Sequence, residues 1–171
     1  VKINMLLRRL PKLKSCVAPE EAFCGSFHFD EGYGQMQHSY ETAANGTIPN
    51  PAPAEIYCHT LTDPSILSPE LQRLGYHTLT LFGLDMPYRL FTGDREAKRA
   101  EVRRRYLEGL DRVCAEPFVD CLALSSESEP CLEVKLPQDL EEEVGLDRGN
   151  IFHTAPSWFY AERPEDVGRW G

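Results

Sequence analysis

Four stretches in the first half of this chain carry strand patterning, and the connections between them hold few helices able to serve as parallel crossovers. Residues 1–9 alternate, with Val1, Ile3, Met5 and Leu7 on one side and Lys2, Asn4, Leu6 and Arg8 on the other. Residues 23–30 alternate again, with Phe23, Gly25, Phe27 and Phe29 against Cys24, Ser26, His28 and Asp30. Glu55–Leu61 reads as a third strand. Tyr76–Leu84 is apolar on both sides, the pattern of a buried central strand. A parallel pair needs a crossover of about a dozen residues or more, usually a helix. The expected fold is therefore α+β: an antiparallel or mixed sheet with helices packed on one side, in a single domain over residues 1–171.

Helical spacing is clearest over 95–115, where Val102, Tyr106, Leu110 and Val113 form an apolar stripe. Glu101→Arg105 and Glu108→Arg112 add favourable i, i+4 pairs. Tyr33, Met36, Tyr40 and Ala43 recur at helical spacing after Glu31-Gly32, and Gly46 closes that segment. A short acidic helix starts at Pro137 and ends at Gly145. Val119–Ser125 reads as a short strand and Cys131–Leu136 as another extended segment. Residues 11–22 and 47–54, with their prolines, read as loops.

Several functions are excluded by what is missing. Net charge is −9, from 18 basic and 27 acidic residues, which disfavours a phosphate-backbone partner, so no nucleic acid is expected. No apolar run approaches the ~20 residues of a membrane span, and no basic-then-apolar leader is visible. The Gly-x-Gly-x-x-Gly, P-loop and Gly-x-Ser-x-Gly patterns are all absent. The six cysteines contain no Cys-x-x-Cys, and they are expected to be reduced and mostly structural. No two histidines have the i, i+4 spacing of a zinc peptidase. A metal site built from His28, His59 and Asp63 would need distant residues to converge, and no metal is expected. His28 and Asp30, two apart on one strand side, are a candidate acid–base pair. Phe23, Phe27, Phe29, Tyr76, Phe82, Phe152, Trp158, Phe159 and Tyr160 could together line an apolar cavity.

Val1-Lys2-Ile3-Asn4-Met5 with Arg9-Leu10-Pro11 resembles the strand opening the later part of the substrate domain in phytoene-dehydrogenase-like flavoproteins. Leu136-Pro137-Gln138-Asp139-Leu140-Glu141, Gly145-Leu146 and Gly149-Asn150-Ile151-Phe152-His153 resemble that family's run before its last flavin-contacting segment. Asp63-Pro64-Ser65 and Met86-Pro87-Tyr88 fit the same resemblance. Its nearest branch is the pyridine nucleotide-disulphide oxidoreductase domain group. The stretch Ser157-Trp158-Phe159-Tyr160-Ala161-Glu162-Arg163-Pro164 departs from the desaturases proper and keeps only Arg163-Pro164.

The resemblance implies a fragment of a two-domain, FAD-dependent oxidoreductase with a flavin-amine-oxidase or phytoene-desaturase-like substrate domain. This chain would be the second half of that domain. Its partners would be the rest of the parent flavoenzyme and an apolar, polyene-like substrate lying between sheet and flavin. The segments that bind FAD would lie elsewhere. Catalytic residues are unassigned. Asn150 and His153 are expected near the flavin, Trp158 and Phe159 in the cavity wall, and Phe27 and His28 along the substrate cavity. The expected location is the cytoplasm, or the mitochondrial matrix for a eukaryotic source. The alternative is a free-standing, non-catalytic binding or protein-interaction module of the same fold.

Overall fold

A computed structural model of the chain describes residues 1–151 and 163–166. The elements run β1 (Lys2–Leu7), α1 (Pro19–Ala22), β2 (Ser26–Phe29), α2 (Tyr33–Ala44) and β3 (Ala54–Tyr57), then α3 (Pro69–Arg73) and β4 (His77–Gly83). They finish with α4 (Arg95–Val113), β5 (Leu132–Lys135) and α5 (Pro137–Val144). The strand order is β2-β3-β4-β1-β5, and every neighbouring pair is antiparallel. This is the α+β arrangement that the scarcity of crossovers implies. β1 lies inside the sheet, registered from Lys2 opposite Phe82 to Leu7 opposite His77.

Alternation gives the sheet two unlike sides. Ile3, Met5, Leu7, Ile56, Leu79, Leu81 and Val134 point to one side, and none exceeds 6% exposure. α4 covers this side with Val102, Tyr106 and Leu110. Tyr106 meets Phe29 edge-on, with ring centroids 6.5 Å apart and planes at 85°. Two glycines permit the close approach. A Cβ on Gly109 would stand 2.7 Å from Phe29 Cε2, and one on Gly83 would collide with the Tyr106 hydroxyl. Asp94 caps α4 by accepting the Ala97 N–H at 3.0 Å.

Three local expectations are corrected. The first loop contains α1, started by Pro19 at a first-turn position with Glu20 and Glu21 behind it. The third strand stops at Tyr57, and His59–Leu61 is a 3-10 turn. The proposed strand over 119–125 is instead a 3-10 turn, Phe118–Cys121, followed by isolated bridges from Leu122 to Leu7 and Leu124 to Pro130. Phe118 and Cys121 are both buried, an i, i+3 spacing that suits a turn rather than an alternating strand. No helix among the described residues is long and apolar enough to cross a membrane.

Candidate functional site

The second side of the sheet is uncovered over much of its area. Lys2, Asn4, Leu6, Thr78, Thr80 and Phe82 are only half-buried there. Two hollows lie along the paired strands β1 and β4. One, of about 600 Å³, is lined by Asn4, Leu6, Thr78 and Thr80, with His59 and Ile66 at its rim. The other, of about 410 Å³, is more apolar, with Phe82, Leu84, Leu140, Val144 and Ile151 in its wall. The Lys2 ammonium stands 6.0 Å from the Phe82 ring centroid at that end.

The second hollow is shaped by the turn after α5. Gly145 ends the helix at φ 71°, in the left-handed region that glycine adopts without strain. Arg148 at φ 51° and Gly149 at φ 69° then turn the chain sharply. Gly149 is needed twice over, because a Cβ there would also lie 2.6 Å from Pro137 Cα. The Asn150 N–H closes the turn onto the Asp147 carbonyl at 3.0 Å.

α5 itself is anchored at its start. Asp139 accepts from the Leu136 N–H at 2.7 Å and from the Arg99 guanidinium at 2.6 and 3.1 Å. The guanidinium holds the Asp139 carboxyl below the usual carboxylate range. Asn150 also borders a neighbouring cleft of about 340 Å³, with Asp85, Met86, Pro87 and Tyr88 around it. There the Tyr88 phenol is pushed up by its hydrogen bond to Glu141. Residues far apart in sequence thus converge: the chain start, Met86-Pro87-Tyr88 and Gly149-Asn150-Ile151 share two adjoining clefts.

The other sequence candidates separate. His153, Trp158 and Phe159 lie outside the described residues, as do Phe152 and Tyr160. Phe27 faces the helix-covered side, its ring 4.6 Å from Phe23, whereas His28 faces the open side. Neighbours on a strand point to opposite faces, so these two do not line one cavity. The aromatic set divides likewise: Phe23 and Phe29 are core, while Phe82 lies on the open side.

His28 does not meet Asp30. Its Nδ1 lies 2.7 Å from Glu31 Oε2, while Asp30 pairs with Arg112 and accepts from Gln35 at 3.3 Å. The φ of 59° at Asp30 takes that residue out of the strand alternation. His59 stacks on Tyr57, with centroids 6.1 Å apart and planes at 8°. Asp63 caps the Pro64–Ile66 turn by accepting the Ser65 N–H at 2.9 Å, and hydrogen bonding from the Ser65 side chain and then its N–H holds the carboxyl below the usual range. His28, His59 and Asp63 therefore each have a separate local partner.

Sequence reasoning gave no site role to Glu31, Glu55 or Asp85, and reached Tyr88 only through the Met86-Pro87-Tyr88 resemblance. Glu55 was legible in principle as the residue opposite His28 once β2 and β3 are paired, but Glu31 and Asp85 lie in turns.

All six cysteines are unpaired. Burial pushes the Cys114 thiol up to about 12 and the Cys121 thiol up to about 11. Both stay protonated near neutrality and are poor nucleophiles.

Fold and clefts together define an α+β unit with one open, partly apolar sheet face. The chain is 43% identical, over its whole length, to an uncharacterized protein of Mycobacterium tuberculosis, of which the match covers 33%. An uncharacterized protein of Mycobacterium bovis matches to the same extent, 43% over 176 residues. More distantly, it is 29% identical over 95% of its length to rat pyridine nucleotide-disulfide oxidoreductase domain-containing protein 2, covering 28% of that relative. The mouse protein of the same name also matches, at 29%. The chain spans about a third of the length of these curated relatives. No family model matches it, and neither does any solved structure.

Proposed function

We propose that this chain is the substrate-domain portion of an FAD-dependent oxidoreductase of the phytoene-dehydrogenase-like type. Its open sheet face roofs the flavin, and an apolar small molecule lies between the two. The observation that carries the reading is the convergence of Met86-Pro87-Tyr88 and Gly149-Asn150-Ile151 on adjoining clefts, one of them walled by Phe82, Leu84, Leu140 and Val144. The name of the rat and mouse relatives gives separate support for an oxidoreductase.

The residues described here do not fit as holders of the cofactor. The strand-to-helix loop after β2 holds Gly32 and Gly34 but has Gln37 where a pyrophosphate cradle needs its third glycine, and no other strand-to-helix loop among the described residues carries the pattern. They fit as an apolar wall. Bound flavin would supply hydride chemistry from segments outside this chain. The chain's own contribution is to exclude water and to position an apolar substrate against Phe82, Leu84 and Val144. Asn150 offers an amide at the junction of the two clefts. The parent protein is placed in the cytoplasm, or in the mitochondrial matrix of a eukaryotic cell.

The test is the visible absorption spectrum of the full-length protein purified from its source. A flavin spectrum with stoichiometric FAD is expected. A colourless protein that takes up no added FAD contradicts the proposal and leaves the non-catalytic binding module in its place.

A further inference from the structure

On β2 and β3, where Glu55 lies opposite Phe82 of the apolar wall, the open face carries a different chemistry. β2 is an edge strand, and its register sets His28 directly opposite Glu55. Facing residues of an antiparallel pair put their Cβ atoms ~4.5–5.5 Å apart on one side of the sheet. Asp30, at φ 59°, then turns the chain. Glu31 is carried back so that its Oε2 lies 2.7 Å from His28 Nδ1. One ligand atom from each of His28, Glu31 and Glu55 lies within 4.8 Å of the other two.

A second observation is independent of this proximity. The Glu31 Oε1 atom is sealed from solvent and has no hydrogen-bond donor. A carboxylate oxygen removed from water without a partner is strongly disfavoured. Neither carboxylate has a Lys or Arg partner among the described residues: Glu31 pairs with His28, and Glu55 accepts from the Tyr57 hydroxyl at 2.8 Å. The adjacent Asp30, by contrast, is neutralised by Arg112. Two carboxylates and an imidazole, with a buried oxygen lone pair left over, are short of positive charge.

We propose that His28, Glu31 and Glu55 bind one divalent first-row transition-metal ion of the zinc class. One imidazole nitrogen and two carboxylates are a borderline-to-hard donor set that suits Zn²⁺ and excludes sites needing soft thiolates. Zinc–ligand bonds of ~2.0–2.2 Å in a tetrahedral site place ligand atoms ~3.3–3.6 Å apart, so side-chain shifts totalling about 1–1.5 Å complete the set. His28 is exposed and both glutamates are only half-buried, which makes those shifts easy. Three protein ligands leave a fourth position for water. The ion ties β2, β3 and the entry to α2 together, closing a sheet edge that otherwise depends on a four-residue strand. The site is independent of the flavin reading.

Equilibrium dialysis of the full-length protein against Zn²⁺ alone, followed by metal analysis, tests it. Wild type is expected to hold one more equivalent of zinc than His28→Ala or Glu55→Gln, each binding roughly tenfold or more weakly. Zinc should also raise the melting temperature of wild type and not that of either variant. If either variant fails to fold, Glu31→Gln keeps the side-chain shape and is expected to lose the same equivalent. Equal zinc content in wild type and folded variants, or no uptake by wild type, overturns the proposal.

Discussion

The two sides of the single sheet differ more than any two segments of the chain. On the helix-covered side, Leu79 and Leu81 are fully buried beneath the helical layer. On the open side, the interleaved Thr78, Thr80 and Phe82 are half-buried and border hollows. The same seven-residue strand, β4, thus carries stability on one side and offers a recognition surface on the other. A strand with apolar residues on both sides does not have to be buried on both faces. Threonines and one phenylalanine make a surface that can be wetted or covered.

The sharpest test of this contrast uses adjacent residues. Leu81→Ala should lower unfolding free energy by about 2–5 kcal/mol, because it opens a cavity in the core. Thr80→Ala should stay within about 0.5 kcal/mol. Urea denaturation of both variants checks this, and equal losses would break the two-sided account.

A smaller effect is expected at the α5 anchor. Asp139→Asn removes the charge partner of Arg99 and should cost about 1–3 kcal/mol. Its pH dependence has a definite sign. The Asp139 carboxyl titrates below its unfolded value of ~3.9, so its stabilisation is complete above that pH. It is lost as pH falls through the lower folded value. Wild type should therefore lose stability more steeply below about pH 4 than Asp139→Asn does.

Gly149→Ala should cost about 1–3 kcal/mol, since it forces a side chain into the left-handed region against Pro137. It should also disturb the cleft bordered by Asn150, which Leu81→Ala leaves in place.

The smallest effect belongs to Glu116, far from the open face. Its hydrogen bonds from Arg9, at 2.6 and 2.7 Å, hold its carboxyl down to about 2. That contribution is present above the unfolded value of ~4.3 and is lost as pH falls towards 2. Glu116→Gln should flatten the acid limb of the stability curve over that window and change little at neutral pH, since the pair is partly solvated.

Much of the architecture was legible because the relevant signals are local. Asp94 before an apolar stripe and Gly145 after an acidic one mark the ends of α4 and α5 through caps that act within a turn. Alternation over residues 1–7 separates buried Ile3, Met5 and Leu7 from Lys2, Asn4 and Leu6. Tyr76–Leu84 was correctly central, but not buried on both faces. Sequence alone does not say whether a second layer lies over a face.

The candidate site was less legible. Asn150 stands at the cleft junction, but Met86 and Tyr88 reach it only through tertiary packing. His28 was singled out with the wrong carboxylate. Alternation set Asp30 beside it, and a positive φ at Asp30 delivered Glu31 instead. Grouping Phe27 with His28 and Phe82 failed for a simpler reason, since adjacent strand residues point to opposite faces.

The central proposal is that the open face, and not the helix face, lies over a flavin held by the full-length protein. A fluorescent amino acid placed at Thr80 on the open face, or at Glu96 on the outer surface of α4, tests it through energy transfer to bound flavin. The account predicts that emission from position 80 is strongly quenched and recovers when the flavin is removed, while position 96 changes much less. Equal quenching at the two positions, stronger quenching at 96, or no flavin to quench either would contradict it.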